Sequence, residues 1–382
     1  MEIPYLFPVV GIIRNTQVSL VEFGALKNME NVGMFKQMTE SQVTDVHFKY
    51  DKDSGLESIV AIHNTSRGPA LGGCRIIPYT STDSAVTDAI RLAKGMSYKA
   101  ALAGLDLGGG KAVIMEPPHA YNRENLFKAF GRFVEELNGR YITAMDSGTT
   151  VTDMDNIATR SSYVTCTSSV GNPAPYTAKG VFLGIQACLK TCQDFNDSLS
   201  GMRIAVQGLG NVGYALCELL HAEGVKLFVS DIDENKVNRC VAKLAATAVP
   251  TDQIHKTDCD IFSPCGLGGI LNEQSINELR CRVVAGSANN QLLTPECGEL
   301  LLQKDILYAP DYLINAGGLI FVALTYQGFN ADKLNRHLET IHHTLLDIFR
   351  TEQQIKESGS VIADRMAETI LFGNKNTEPL NA

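Results

Sequence analysis

The segment Gly208-Leu209-Gly210-Asn211-Val212-Gly213 constrains the fold of this chain more than any other. It follows RIAVQ, a short β-branched apolar run, and opens an amphipathic stretch. The spacing therefore predicts a strand, a glycine turn and a helix over 212–223. Glycines at these positions let the backbone turn tightly and let N–H groups at a helix N-terminus approach a phosphate. The next apolar run, KLFVSD, ends in Asp231, where a carboxylate accepts hydrogen bonds from a ribose hydroxyl and repels a 2′-phosphate. A dinucleotide site follows, with NAD favoured over NADP and with Gly208, Gly210, Asn211, Val212, Gly213 and Asp231 as its contacts.

The surrounding rhythm supports that reading. From about Thr177 helix and strand alternate: helix 178–192, strand RIAVQG, helix 212–223, strand KLFVSD, then strands IFSP and VVAG. Alternation of this kind implies a parallel, doubly wound sheet. Upstream, ESIVAIH (57–63), KAVIM (111–115) and YITA (141–144) read as strands. A helix over 82–97 with Ser81 or Thr82 as N-cap, and a second carrying Leu126, Phe127, Phe130, Val134 and Leu137 on one stripe, lie between them. After Phe329 only amphipathic helical stretches remain, expected to pack back across the first domain. At 382 residues the chain exceeds what one core usually supports, so two domains with a cleft between them are expected.

Composition excludes several partners. A net charge of -9 with no extended basic run is unsuited to a phosphate backbone, so no nucleic acid partner is expected. No apolar span reaches 18 residues, and an acid precedes the apolar run near the N-terminus, so neither a membrane segment nor a secretory leader is expected. The ten cysteines form no CxxC pair and have neither zinc nor disulfide-framework spacing. They read as reduced thiols of a cytoplasmic protein, and no metal is expected.

A second cluster carries chemistry. GPALGG (68–73), GMSYKAALAG with Lys99, GGGKAVI with Lys111 and TAMDSGT with Asp146 set three titratable groups among glycines. Gly108, Gly109 and Gly110 are expected to leave open space in front of the Lys111 strand. A low-dielectric site there would lower a lysine pKa and suit it to proton transfer.

With these motifs in place, the sequence resembles the leucine, valine and phenylalanine dehydrogenases, relatives of the glutamate dehydrogenases. The likeness runs from about Phe35 to about Ile370 through GPALGG, GMSYK, GGGKAVI, GNPAPYTAKGV, QGLGNVG and APDYLINAGG. It implies an α/β fold with an N-terminal substrate and oligomerisation domain and a Rossmann-type NAD-binding domain. The domains would span 35–170 plus about 330–382, and 171–329, with 1–34 as an extension. It implies NAD-dependent oxidative deamination of an apolar L-amino acid to its 2-oxo acid and ammonia, reversible as reductive amination, by a homo-oligomer.

By that resemblance Lys99 binds the substrate α-carboxylate, Lys111 activates the attacking water, and Asp146 exchanges protons with the amino group. Gly72 and Gly73 contact substrate through backbone atoms, and Asn290 is placed against it. Thr177 and Asn315 lie against the cofactor. Leu71 stands where glutamate-specific relatives carry a lysine, which disfavours an acidic substrate. Ala144, Leu319 and Val322 surround the side-chain pocket. Ala144 resembles the leucine enzymes, and Leu319 with GSANNQLLT resembles some phenylalanine enzymes. The segment TCTSSV is shorter than in the relatives, ALTY replaces their acidic pair after Val322, and Met145 and Ser147 flank Asp146 unusually.

Two competing readings are a catalytically inactive NAD-binding regulator and an NAD-dependent hydroxy-acid dehydrogenase. Retention of Lys99, Lys111 and Asp146 opposes the first. The second commonly needs a histidine paired with a carboxylate, and the only histidine close before the motif block, His63, reads as an ordinary strand residue.

Overall fold

Two sheets organise the chain, each built where β-branched runs meet glycine or proline. The computed structural model describes residues 33–192, 195 and 198–373. Residues 1–32, most of the expected extension, lie outside the described residues. The first sheet contains β1 (Asp45–Asp51), β2 (Leu56–Asn64), β3 (Ala70–Ile77), β4 (Gly108–Met115) and β5 (Tyr141–Met145) in the order β1-β2-β4-β3-β5. β1 and β2 run antiparallel to their neighbours, while β3, β4 and β5 are mutually parallel.

The second sheet is parallel throughout. Its strands are β6 (Arg203–Gln207), β7 (Lys226–Ser230), β8 (Thr247–Ala248), β9 (Ile261–Pro264), β10 (Val283–Val284) and β11 (Leu307–Tyr308), in the order β11-β10-β9-β6-β7-β8. The chain winds outward one way from β6 through β7 to β8, then crosses back and continues from β9 the other way. The crevice between the ends of β6 and β9 is thus the topological switch point, where such sheets bind ligands.

Helix Thr82–Leu102 runs five residues past its expected end. Ser81 and Ser84 form a capping box at its start, and Gly104, with φ +68°, stands just beyond its end. Gly95 does not break it, because the small buried residues Ala85, Ala89, Ala93 and Ser97 hold the helix against the sheet. Tertiary packing here overrides the roughly 1 kcal/mol penalty of a helical glycine.

β3 carries glycines at two consecutive positions and does not read as a strand, yet it lies between β4 and β5. A Cβ on Gly72 would overlap the carbonyl oxygen of Gly110 on β4, so the doublet permits close strand approach. The expected opening in front of Lys111 is corrected by the same geometry. Side chains at Gly108, Gly109 and Gly110 would collide with the Asn64 carbonyl, the Ser97 backbone and the Tyr141 ring. The triplet is packed closely against two stretches of main chain and an aromatic ring.

Of the two C-terminal helices the last returns to the first domain as expected, whereas the longer one packs chiefly on a helix of the cofactor half. Helix Gly359–Phe372 packs on helix Thr82–Leu102, with Tyr98 donating to Glu368 at 2.5 Å and Ser66 donating to the Leu371 carbonyl at 3.2 Å. Helix Ala331–Ile355 lies on helix Ala174–Thr191 and also reaches the first domain, where Thr344 donates to the Leu102 carbonyl. Among the described residues no helix is long and apolar enough to cross a membrane.

Glu352 caps this arrangement, accepting the Gly359 N–H at 2.6 Å while almost fully buried. Burial, aided by Glu299 and opposed by that hydrogen bond, raises its carboxyl from 4.5 to about 7. The folded state thus binds this proton more tightly than the unfolded chain. The resulting stability is complete below pH 4.5 and is lost as pH rises through about 7, each unit being worth about 1.4 kcal/mol. Glu352→Gln should therefore raise Tm by several degrees at about pH 8.5 and by much less at about pH 5. Equal shifts at both pH values in a calorimetric scan would disprove this assignment.

Candidate active site

Parallel pairing of β3, β4 and β5 brings three distant segments to one place. Lys111, on β4 and 5% exposed, donates from Nζ to Oδ2 of Asp146, just beyond β5. Asp146 is held by a local turn: its N–H donates to Thr149 Oγ1 at 2.8 Å, and the Thr149 N–H returns to its carbonyl at 3.0 Å. Gly73 makes room for it, since a Cβ there would lie 2.6 Å from the Asp146 Cβ. Burial penalises the charge on Asp146, but the Lys111 ammonium and the Arg75 guanidinium outweigh it and hold the carboxyl well below its ordinary range. Arg75 donates from Nε to the same Oδ2 at 3.2 Å.

Lys99 stands in the last turn of helix Thr82–Leu102, half-buried. Desolvation lowers its pKa to about 8, and Lys111 adds to the effect, while Asp311 and Asp146 pull the other way. The three expected chemical groups thus form one electrostatic cluster. Lys99 Nζ donates to Asn289 Oδ1 at 3.5 Å, and Asn315 Nδ2 donates to the same oxygen at 2.8 Å and to the Ser287 carbonyl at 3.1 Å. Asn289 therefore joins the lysine of the first domain to the turn that precedes helix Gly317–Tyr326.

Asn290 itself is exposed, with φ +51°, and its carbonyl accepts the Gly269 N–H at 2.7 Å. Ala144 and Gly73 are paired in register, and Ala144, Leu71 and Val322 are buried. Leu319 is partly buried against the same core. Thr165 links Val322 to β5: its hydroxyl reaches the Val322 carbonyl at 3.5 Å and its N–H donates to Thr143 at 2.9 Å.

At the switch point each glycine has its own task. Gly208, with φ +93°, turns the chain where a Cβ would lie 2.7 Å from the Gly266 backbone, and a Cβ on Gly213 would overlap the Gly208 carbonyl. Gly210 is different, since a Cβ there would meet no atom within 4 Å, and it caps helix Asn211–Ala222. Asn211 is exposed and Val212 half-buried beside it. Asp231 clamps the turn, accepting from Leu209 N at 2.6 Å and Asp233 N at 2.9 Å, a duty the motif alone did not reveal. Each carboxylate oxygen keeps a further acceptor site for a ribose hydroxyl.

A dinucleotide fits these residues. The free helix N-terminus at Gly210 suits a pyrophosphate. Two buried polar atoms without partners, Gln207 Oε1 and Ser230 Oγ, lie side by side at the ends of β6 and β7, and Asn315 Oδ1 is also unpartnered. Thr177 is half-buried, and a Cβ on Gly318 would lie 2.5 Å from its hydroxyl, so the helix bearing Thr177 and the Asn315 turn are in close contact.

Sequence reasoning missed Arg75, Asn289 and Asp311. Arg75 had a signal: it lies two residues beyond Gly73, and alternate residues of a strand share a face. His63, as expected, belongs to the core. Its Nδ1 lies 2.8 Å from Ser97 Oγ, and desolvation lowers its pKa to about 4, so it is neutral.

A doubly wound sheet with this glycine turn, beside a second domain that presents a buried lysine–aspartate pair, defines a two-domain nicotinamide-dependent dehydrogenase. The dimerisation domain of the Glu/Leu/Phe/Val dehydrogenases matches residues 40–163, and the Glutamate/Leucine/Phenylalanine/Valine dehydrogenase domain matches 172–235 and 228–369. The chain is 49% identical to a leucine dehydrogenase of Geobacillus stearothermophilus, covering 88% of this chain and 92% of that one. It is 42% identical to a phenylalanine dehydrogenase of Bacillus thermotolerans, covering 89% and 91%. The crystal structure of L-tryptophan dehydrogenase from Nostoc punctiforme superposes with a TM-score of 0.80 at 42% identity, covering 88% of this chain and 98% of that one. This chain belongs to the glutamate/leucine/phenylalanine/valine dehydrogenase family. It is an NAD-dependent amino acid dehydrogenase that acts on apolar amino acids.

The glycine geometry makes a paired prediction. Gly210→Ala should leave Tm nearly unchanged, because its Cβ meets only open space, yet weaken NADH binding about tenfold, or 1.4 kcal/mol. Gly213→Ala should lower both Tm and affinity, because the turn must shift. A fluorescence titration of NADH that finds Gly210→Ala binding as tightly as wild type would refute the approach at Gly210.

Proposed function

We propose that the preferred substrate is a branched-chain L-amino acid such as leucine, and that Lys99, Lys111 and Asp146 carry the chemistry. The observation that carries the catalytic assignment is the Lys111–Asp146 ion pair, electrostatically coupled to Lys99, and the higher identity to a leucine than to a phenylalanine dehydrogenase supports the substrate. Domain limits of 35–170 plus about 330–382 for substrate, and 171–329 for cofactor, are consistent with the two sheets.

Substrate carboxylate on Lys99 would restore that lysine's charge, which burial otherwise disfavours. Gly72, Gly73 and Asn290, with Asn289, would complete the polar grip. Leu71, Ala144, Leu319 and Val322 would receive the side chain, and a second carboxylate against Leu71 would go unpaired at a cost of several kcal/mol. Bound NAD supplies the hydride acceptor for the substrate Cα, leaving an iminium. Lys111 would take a proton from the attacking water, and Asp146 would relay protons to the departing nitrogen. Overall, amino acid, water and NAD give oxo acid, ammonium, NADH and one proton. Thr177 and Asn315 would orient the nicotinamide, the glycine turn the pyrophosphate, and Asp231 the adenosine ribose.

We also assign the protein to the cytosol as a homo-oligomer. Eight of the ten cysteines are buried free thiols, and its N-terminal part matches a dimerisation domain.

Lys111→Ala should lower kcat by about two to four orders of magnitude while NADH binding stays near that of wild type. Retained turnover would remove Lys111 from its role. Asp231→Ser should narrow the preference for NAD over NADP, read as the ratio of kcat/KM values; an unchanged ratio would place the ribose contact elsewhere. Across Leu, Ile, Val, Phe and Tyr, the highest kcat/KM should fall among the branched-chain substrates, and a maximum at phenylalanine would overturn that part of the proposal.

A further inference from the structure

Behind the Lys111–Asp146 pair lies a run of charges that the reaction scheme above does not use. Arg75 donates from Nε to Asp146 Oδ2 at 3.2 Å and from Nη1 to Asp88 Oδ2 at 3.0 Å. Asp88, on helix Thr82–Leu102, also accepts the Tyr79 hydroxyl at 2.7 Å and Arg91 Nη2 at 3.0 Å. Sign alternates along Arg91, Asp88, Arg75, Asp146 and Lys111. The Arg75 and Asp88 side chains are only 15% and 9% exposed, so solvent screens their contacts weakly.

We propose that Arg75 is a positioning residue for the reaction: it pins Asp146 Oδ2 against Lys111 and, through a charge that never titrates, sets the pH at which the pair becomes active. This rests on Lys111 and Asp146 being the proton-transfer groups. Two features carry it. Both cations converge on one carboxylate oxygen, which fixes the rotamer of Asp146 while about a quarter of its side chain stays exposed. Arg75 is itself immobilised by Asp88, whose Tyr79 partner stays a donor because burial and the carboxylate push the phenol pKa up.

The titratable and charged groups around Asp146 are Lys111 from β4, Arg75 and the Cys74 thiol from β3, Tyr141 from β5, Lys99 from helix Thr82–Leu102 and the Tyr79 phenol, with Asp88 behind Arg75. Cys74 and Tyr141 are buried with pKa values pushed up, so they add no charge near neutrality. Arg75 is thus the fixed positive charge nearest the pair, and it lowers the proton affinity of the Asp146 carboxylate to which Lys111 is hydrogen-bonded.

The test is kcat/KM against pH for leucine deamination by the full-length enzyme with NAD, with Tm recorded for each variant. Arg75→Gln should move the acid limb to higher pH by on the order of one unit, so that activity on that limb falls about tenfold. Arg75→Lys keeps the charge but loses the fork, so its limb should stay in place while kcat falls. Asp88→Asn removes a negative charge and should move the limb slightly the other way, which keeps the proposal testable if Arg75→Gln fails to fold. Limbs that coincide with wild type in Arg75→Gln and Asp88→Asn, or a shift in Arg75→Lys equal to that in Arg75→Gln, would overturn the proposal. Wild-type enzyme inert toward every apolar amino acid would instead defeat the functional reading on which it rests.

Discussion

An ammonium and a carboxylate taken out of water together are the constraint around which the first domain is built. Each ion alone would lose several kcal/mol of hydration, so Lys111 and Asp146 can be buried only as partners with their remaining hydrogen bonds supplied. That requirement explains the local construction: the Thr149 turn that presents Asp146, the missing side chain at Gly73, and the Arg75 contact on the opposite side. It also explains why β3, β4 and β5 are parallel neighbours, since only that pairing brings Arg75, Lys111 and Asp146 to one spot from segments far apart in sequence.

Close backbone packing carries the rest. In both domains the glycines that look like flexible loops are sites where two main chains, or a main chain and a ring, come too near for a Cβ: Gly72 on Gly110, Gly109 on Ser97, Gly213 on Gly208 and Gly317 on Tyr176. Gly210 differs from these: a Cβ there would meet no atom within 4 Å, as at Gly95, and it stands where the glycine turn opens helix Asn211–Ala222.

The doubly wound half was legible in the sequence because strand, turn and helix each carry their own local signature there, and the strands IFSP and RIAVQ appear where the apolar runs lie. The first domain was legible in helices Thr82–Leu102 and Arg123–Glu136 and in β2, β4 and β5, but helices Met34–Glu40 and Val151–Ala158 and strands β1 and β3 were not. β1 is an edge strand with Phe48 and Tyr50 facing outward, and β3 hides a central position behind a glycine doublet. Of the site, Lys99, Lys111 and Asp146 were readable because their motifs are distinctive. Arg75 was not, since its meaning depends on the face it occupies in an unread strand. The choice between Asn289 and Asn290 depends on a single positive φ that no pattern of residue types reports.

The charge arrangement also bears on who holds the proton. With its carboxyl held well below the ordinary range, Asp146 in the resting site is a carboxylate and has no proton to give. It can serve a departing amine only after receiving one, and the nearest donor is Lys111, already hydrogen-bonded to it. In the proposed scheme the two groups would act as one acid–base unit, the lysine taking a proton from water and the aspartate passing it on. A carboxylate held ionised from behind suits that relay better than a free carboxyl would, because it never competes with the lysine for the first proton and each cycle leaves it charged.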